Sequence, residues 1–275
     1  MINEPYFPNK RPETMAFEER FRRHIAPLPE DSRLVLYELI TALHPDLVET
    51  RFEIEPECVV AHQRSRGIAF PRPLPLIKHA HISCGYVEWL ARKYSLPGFV
   101  EVEPGDTVFD CGAYVGGFGL SAVEVAKTVH LFEPAPGNFI CVEKNFAQTP
   151  NAVLNNLGLY NVDRTMPLNI SASSVEHSFL TPDDGQALCQ EDVKVVRADT
   201  YCAARGIATV DFFKIEAEGV ELEVFEGLGE MNPRKFAIDV SPEREGQSPA
   251  PEFLDLLTAR GYECRQRGHV LFARR

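Results

Sequence analysis

The stretch from Thr107 to Gly119 constrains this chain more than any other. Its apolar, β-prone start, Thr107-Val108-Phe109, closes on Asp110. Glycines follow at 112, 116, 117 and 119, and a helical pattern begins at Leu120. Strand, glycine turn and helix in this order open a nucleotide-binding βα unit: the glycines let backbone approach a ligand, and the helix N-terminus faces it. The positions of the glycines restrict the ligand. A dinucleotide fingerprint wants glycine at the equivalents of 112, 114 and 117, and position 114 is Tyr. A side chain there blocks the close approach of a pyrophosphate. No Lys or Arg sits in the turn to meet a phosphate, and Asp110, ahead of the first glycine, suits a cationic ligand. S-adenosylmethionine, with an ammonium, a sulfonium and no phosphate, meets these conditions.

A second strand, Thr128 to Phe132, ends on Glu133-Pro134. An acid at the end of the second strand, about 20 residues beyond the turn, is the ribose-hydroxyl acceptor of Rossmann-type sites. The reading therefore assigns Asp110, Gly112 and Gly116 to the methionine end of the cofactor and Glu133 to its ribose, with Tyr114 of the turn a further cofactor-binding residue. Asn156, Leu157 and Gly158, at the end of the third strand, are placed to meet the adenine.

From residue 105 the chain alternates strand and helix signals, with strands expected near 107–111, 128–132, 152–157, 209–215 and 235–240. Alternation of this kind argues a parallel sheet with right-handed crossovers. Two short β runs, Tyr262 to Arg265 and His269 to Ala273, flank Gln266-Arg267-Gly268 and read as a closing hairpin. The expected fold is α/β: five parallel strands plus a C-terminal antiparallel hairpin, the Rossmann-like sheet of class I methyltransferases, behind a mainly helical N-terminal extension. The expected division is 1–100 for the arm and extension and 101–275 for the catalytic domain. Within the extension, residues 1–30 read as an arm that is mobile or packs on another surface. Residues 31–48 and 85–94 read as helices, and Pro71, Pro73 and Pro75 mark loop or extended chain. An insertion at 160–195 interrupts the alternation, and insertions beyond strand ends commonly build specificity.

The bulk numbers set outer bounds. The chain has 275 residues, 44% of them hydrophobic, enough for one large domain or a domain with an extension. A net charge of −12 repels phosphate backbones and argues against nucleic acid. No apolar run is long enough for a membrane helix, and the N-terminus lacks the basic start and apolar stretch of a leader. The seven cysteines form no Cys-x-x-Cys pair, so neither a structural metal nor a redox motif is signalled. Scattered thiols without a leader fit the reducing cytoplasm.

The segment Asp211-Phe212-Phe213-Lys214-Ile215-Glu216-Ala217-Glu218-Gly219-Val220-Glu221 resembles the signature of the FkbM-type methyltransferase family, which usually reads Asp-Leu-Ile-Lys-Ile-Asp-Val-Glu-Gly-Ala-Glu. The glycine turn resembles that family's Asp-x-Gly-Ala-Asn-x-Gly, with Tyr114 in place of Asn. Phe132-Glu133-Pro134 with Asn138 and Phe139, Ser173-Ser174, and Ala198-Asp199 fit further family positions. The resemblance runs from about 84 to 273. Glu216 replaces Asp, and Asp239-Val240-Ser241 stands where the family more often has Glu and His. The resemblance implies S-adenosylmethionine-dependent O-methylation of a hydroxyl on a small molecule, a natural product or a sugar.

Methyl transfer is an in-line displacement, so the protein mainly orients two substrates and removes a proton from the nucleophile. Glu216 and Glu218, at the end of the fourth strand, are the first candidates for that base, and Lys214 for holding the pair ionised or positioning the acceptor. His177, in the insertion, is a further candidate because a histidine titrates near neutrality. His79 and His81 precede the core and are placed to line a substrate mouth. Glu221, Glu223 and Glu226 read as a solvated helix face. Two other classes compete. A nicotinamide-dependent oxidoreductase fails on Tyr114 and on the absence of a Tyr-x-x-x-Lys pair after the fourth strand, while a catalytically degenerate binding module is opposed by the intact Asp110, Glu133 and Glu218. A homo-oligomer formed through the N-terminal extension is a further expectation.

Overall fold

In a computed structural model, the structure describes residues 10–171, 173–174, 177–180, 187–244 and 246–275. The extension begins with α1 (Pro12–Ile25) and α2 (Glu30–Leu43), continues through β1 (Arg51–Ile54), β2 (Cys58–Gln63) and β3 (Arg66–Pro71), and ends in α3 (Leu76–Ile82) and α4 (Tyr86–Lys93). The alternating part follows: β4 (Thr107–Cys111), α5 (Gly117–Ala122), β5 (Thr128–Phe132), α6 (Pro136–Asn145) and β6 (Ala152–Asn155). After β7 (Gly158–Leu159), β8 (Arg164–Ser171) and β9 (Ala187–Val196) come α7 (Ala198–Arg205), β10 (Phe212–Ile215), α8 (Glu221–Glu226) and β11 (Lys235–Asp239). The chain closes with α9 (Ala250–Ala259), β12 (Glu263–Arg267) and β13 (Val270–Arg274).

The central sheet has seven strands in the order β12-β13-β11-β10-β4-β5-β6. Strands β6, β5, β4, β10 and β11 run parallel, and β13 pairs antiparallel with both β11 and β12. This is the expected sheet of five parallel strands and a hairpin. The sequence explains why it is central. Residues 212–215 and 235–239 are buried throughout, as parallel strands covered on both faces must be. Aromatic rings fill the two layers: Phe109 meets Phe213 edge-on at 5.5 Å on one side, and Phe118 stacks on Phe212 at 5.6 Å on the other. The chain winds from β4 out to β6 and then crosses to β10, so the strand order reverses between β4 and β10. Ligands of open α/β sheets bind outside the carboxyl ends at such a point.

The extension carries more β structure than the sequence pattern discloses. Strands β1, β2 and β3 form an antiparallel sheet, and the β2–β3 hairpin turns through Arg64 in a left-handed conformation (φ 52°) with no Asn-Gly signal to mark it. Residues 10–30 of the expected arm pack against the body. Polar side chains take the buried stripe of α1: Lys10 Nζ pairs with Glu18 Oε2 at 2.5 Å and donates to Ser83 Oγ at 2.9 Å, all three buried. An ion pair standing in for apolar residues hides the helical periodicity. Residues 1–9 of the arm lie outside the described residues.

One apolar cluster runs from Leu34 through Trp89 and Phe118 to Phe272, so the extension and the sheet share packing. The insertion forms a ribbon of β8 and β9, with β7 pairing parallel to β9. Of the expected Ser171–Ser178 segment, residues 172, 175 and 176 lie outside the described residues. Among the described residues, no helix is long and apolar enough to cross a membrane.

Candidate functional site

The site is assembled where β4 and β10 part. Asp110 and Lys214 are direct cross-strand partners, so their side chains share a face of the sheet. Lys214 Nζ lies 3.1 Å from Asp110 Oδ1 and donates to the carbonyls of Cys111 at 3.0 Å and Gly112 at 2.7 Å. The glycine turn is thus tied down from below by a lysine fully buried in the sheet. Gly112 has φ 69°, and its N–H and that of Ala113 both donate to Phe132 O, at 3.1 and 3.0 Å. Tyr114 also sits in the left-handed region, at φ 55°, a conformation that Gly and Asn adopt far more readily. The Tyr114 N–H donates to Glu133 Oε2 at 2.8 Å, and its hydroxyl lies 3.1 Å from Ser174 Oγ.

A chain of alternating charges crosses the strand ends. Asp239 at the end of β11 meets Lys93 of α4 at 2.8 Å. Lys93 meets Glu216 at 2.6 Å, Glu216 meets Lys214 at 3.2 Å, and Lys214 meets Asp110. Burial alone would raise the pKa of Glu216. Lys93 and Lys214 outweigh it and hold the carboxyl well below its usual range. The same carboxylates, Asp239 included, overcome burial to hold both lysines above theirs. Pairing with two lysines thus weakens Glu216 as a proton acceptor, against the role of base the sequence led one to expect.

Lys214 and Glu216 of this chain of charges border an open cavity of about 110 Å³. Gly112, Tyr114, Glu133, Gly158, His177, Lys214, Glu216 and Glu218 of the expected site line it. Four others do not. Asp110 is fully buried behind the turn, where its Oδ2 accepts the Gly119 N–H at 3.1 Å. Gly116 is a packing glycine, because a Cβ there would stand 2.2 Å from the Phe146 ring. Asn156 braces the end of β5, its Nδ2 donating to the carbonyls of Glu133 and Pro134, and Leu157 packs against the apolar core. Gly158 remains on the wall beside Phe179.

The remaining candidates separate by environment. Glu218 has φ 50°, lines the cavity, and among the described residues its carboxylate has no hydrogen bond or ion pair. Burial, then repulsion from Glu216 and Glu221, push its pKa well above the ordinary value. His177 is also on the wall, but its Nδ1 accepts the Ser171 N–H at 3.1 Å, which leaves the ring proton on Nε2 and neither nitrogen free to take another. Burial lowers its pKa to about 4. His79 is buried against Tyr37, with ring centroids 4.5 Å apart, and His81 stacks on Trp89 at 4.0 Å; neither reaches the cavity. Glu221 is not on a solvated face. It is buried, its Oε1 accepting the N–H groups of Ala217 and Gly219 at 2.7 and 3.2 Å. That bond pair shapes the turn that presents Glu218.

Sequence reasoning missed Lys78 and Lys93, which come from short helices of the extension and carry no motif. Asn138 was visible only through the family resemblance. It lines the cavity, and its Nδ2 donates to Ser174 O at 3.0 Å. Among the described residues its buried Oδ1 has no hydrogen-bond partner.

Residues 110–264 match the family model described as the methyltransferase FkbM domain. The chain is 28% identical over 234 residues to the 31-O-demethyl-FK506 methyltransferase FkbM of Streptomyces tacrolimicus, covering 70% of this chain and 88% of that protein. Among solved structures, a methyltransferase FkbM from Methylobacillus flagellatus aligns over 72% of this chain with 18% identity and a TM-score of 0.46; this chain spans about half, 52%, of its length. A magnesium protoporphyrin IX methyltransferase from Synechocystis, solved with bound SAM, aligns over 73% of this chain and 81% of its own, at 12% identity and a TM-score of 0.41. The glycine turn, the Glu133 strand end and the Lys214–Glu221 block all fall inside the matched segment, and the chain belongs to the FkbM family of methyltransferases.

Proposed function

We propose that the protein uses S-adenosylmethionine to methylate a hydroxyl of a small molecule, a natural product or a sugar, in the cytoplasm. The observation that carries the reading is the state of Glu133. Its carboxylate lies on the cavity wall, fixed by the Tyr114 N–H on Oε2 and by the Ala135 N–H and, at 3.4 Å, the Asn138 amide on Oε1. A carboxylate offers about four lone-pair sites, so one acceptor position, on Oε2, remains for a ribose hydroxyl. The unpartnered Oδ1 of Asn138 beside it is a second unused acceptor. These residues fit the ribose of the cofactor, and the absence of any cation in the glycine turn fits a ligand without phosphates. When bound, the cofactor supplies a methyl group already activated on a sulfonium. The relative from Streptomyces tacrolimicus is named for O-methylation, which supports a hydroxyl acceptor. The free cysteines fit a reducing compartment.

The protein's own share is positioning and proton removal. Lys214 holds the turn by its carbonyls and, with Lys93, keeps Glu216 ionised. Glu218 takes the acceptor proton. Among the described residues it is the cavity carboxylate without a partner, and burial followed by repulsion from Glu216 and Glu221 raises its basicity.

Calorimetric titration with S-adenosylhomocysteine tests the cofactor site. Burial pushes the pKa of Glu133 up to about 7, with the Ala135 and Tyr114 N–H groups opposing it. The ionised form accepts a ribose hydroxyl, so affinity should rise between pH 6 and pH 8. The unliganded protein responds in the opposite sense: a carboxyl raised from 4.5 contributes stability below 4.5 that is lost as pH climbs through about 7. Glu133→Gln should bind roughly 10–100-fold more weakly at pH 8 and lose the pH dependence in this window. Wild-type affinity that is flat with pH and matched by the variant would remove Glu133 from the site.

A further inference from the structure

We infer that Lys78, from helix α3 of the N-terminal extension, is a carboxylate-binding group of the active-site cavity, and that its ligand is the carboxylate at the amino-acid end of the cofactor. The inference rests on the cofactor reading above and extends it to a part of the chain outside the family-matched segment.

Two lysines line the cavity, and they differ in kind. Lys214 is consumed by Asp110, Glu216 and two backbone carbonyls. Lys78 has no hydrogen bond or ion pair from its ammonium among the described residues. Its ammonium stands 4.8 Å from the centre of the Tyr114 ring and 6.0 Å from that of Tyr86. Aromatic faces attract a cation but do not replace the hydrogen bonds it had in water. A half-buried ammonium with three unmatched donors is costly unless something brings an anion to it. The protein shows the cost: burial lowers the pKa of Lys78 to about 8, opposed by Glu216 and Glu218 and reinforced by Lys93 and Lys214.

Among the described residues no carboxylate forms an ion pair with Lys78. Glu216, a near neighbour in charge, is locked between Lys93 and Lys214, and Glu218 makes no ion pair with Lys78. The location of Lys78 also selects the end of the ligand. Tyr114 binds Glu133 through its N–H and carries Lys78 over its ring, so the ribose acceptor and the unmatched cation flank one residue of the glycine turn. A ligand that places its ribose at Glu133 and continues along the turn presents its zwitterionic end next, and the carboxylate of that end is the one anion it possesses.

The test compares two ligands that share adenosine and sulfur. S-adenosylhomocysteine has the amino-acid end and 5′-methylthioadenosine lacks it. Calorimetry on the full chain should show Lys78→Met weakening S-adenosylhomocysteine roughly 10–100-fold while 5′-methylthioadenosine stays within about threefold. Lys78→Arg should retain most of the affinity for both. Methionine keeps the apolar stem, and 5′-methylthioadenosine binding reports that the site is intact. Unchanged S-adenosylhomocysteine affinity in Lys78→Met would overturn the inference and assign the lysine to an acidic acceptor instead. Equal loss for both ligands would also overturn it, since the lysine would then act through the shape of the turn. A wild-type protein that binds neither ligand sinks the cofactor reading itself, an outcome visible before any variant is made.

Discussion

Gly112→Val should abolish S-adenosylhomocysteine binding and lower the stability of the fold by about 4 kcal/mol or more. The reason lies in two coinciding constraints. Position 112 has φ 69°, which costs an L-residue roughly 1–2 kcal/mol and a β-branched one more. A Cβ added there would also stand 1.7 Å from the backbone oxygen of Glu216, an atom with no freedom to swing aside. Relief requires the turns after β4 and β10 to separate, at the further cost of about 1–3 kcal/mol usual for overpacking a rigid site. That separation would break the bonds from Lys214 to the Cys111 and Gly112 carbonyls. Urea unfolding measures the stability loss and calorimetry the binding. A variant with wild-type midpoint and affinity would show that the two turns do not bound the site.

Glu218→Gln should lower turnover by roughly 10²–10⁴-fold with cofactor affinity within a few fold of wild type, the span expected for losing a general base. Shape and size are preserved, and the carboxylate has no partner among the described residues to be orphaned. Glu216→Gln should behave differently. It removes the anion between Lys93 and Lys214, so its first effect should be on stability, since breaking a buried ion pair leaves charge uncompensated. Single-turnover assays with a competent acceptor, alongside thermal unfolding of both variants, distinguish the two carboxylates. If Glu216→Gln lost the turnover and Glu218→Gln kept it, the roles would be reversed.

What the sequence discloses follows from how local the physics is. The βα turn and Glu133 were readable because their requirements are met within one crossover: glycine where φ is positive, an acid where a strand stops. The fourth strand and its Lys-x-Glu-x-Glu-Gly block were equally plain. The assignment of roles inside that block was not. Alternation places residues 214, 216 and 218 on one side of a continuing strand, but the strand stops at Ile215 and Glu218 is presented by a left-handed turn braced by Glu221. Lys214 faces Asp110, its neighbour across the sheet, and that pairing depends on strand order, which no spacing along the chain encodes. Lys93 and Lys78 approach from helices far away in sequence. The β1–β3 sheet escaped because its turn lacks the residues that normally announce one, and α1 because a buried Lys–Glu pair occupies its inward face.

The chain of charges has a consequence for how this protein can be divided and recombined. The acids Glu216 and Asp239 belong to the family-matched segment, whereas Lys93, which bridges them, precedes it by 17 residues. A catalytic half cut at residue 101 and grafted behind a different leader sequence would inherit the carboxylates without their counter-ion. The deficit, roughly 3–5 kcal/mol for breaking a buried ion pair, is a large fraction of the 5–15 kcal/mol that holds a typical domain together. A transplantable unit of this protein therefore begins no later than Tyr86, at the start of α4, and a shorter cassette arrives electrically incomplete.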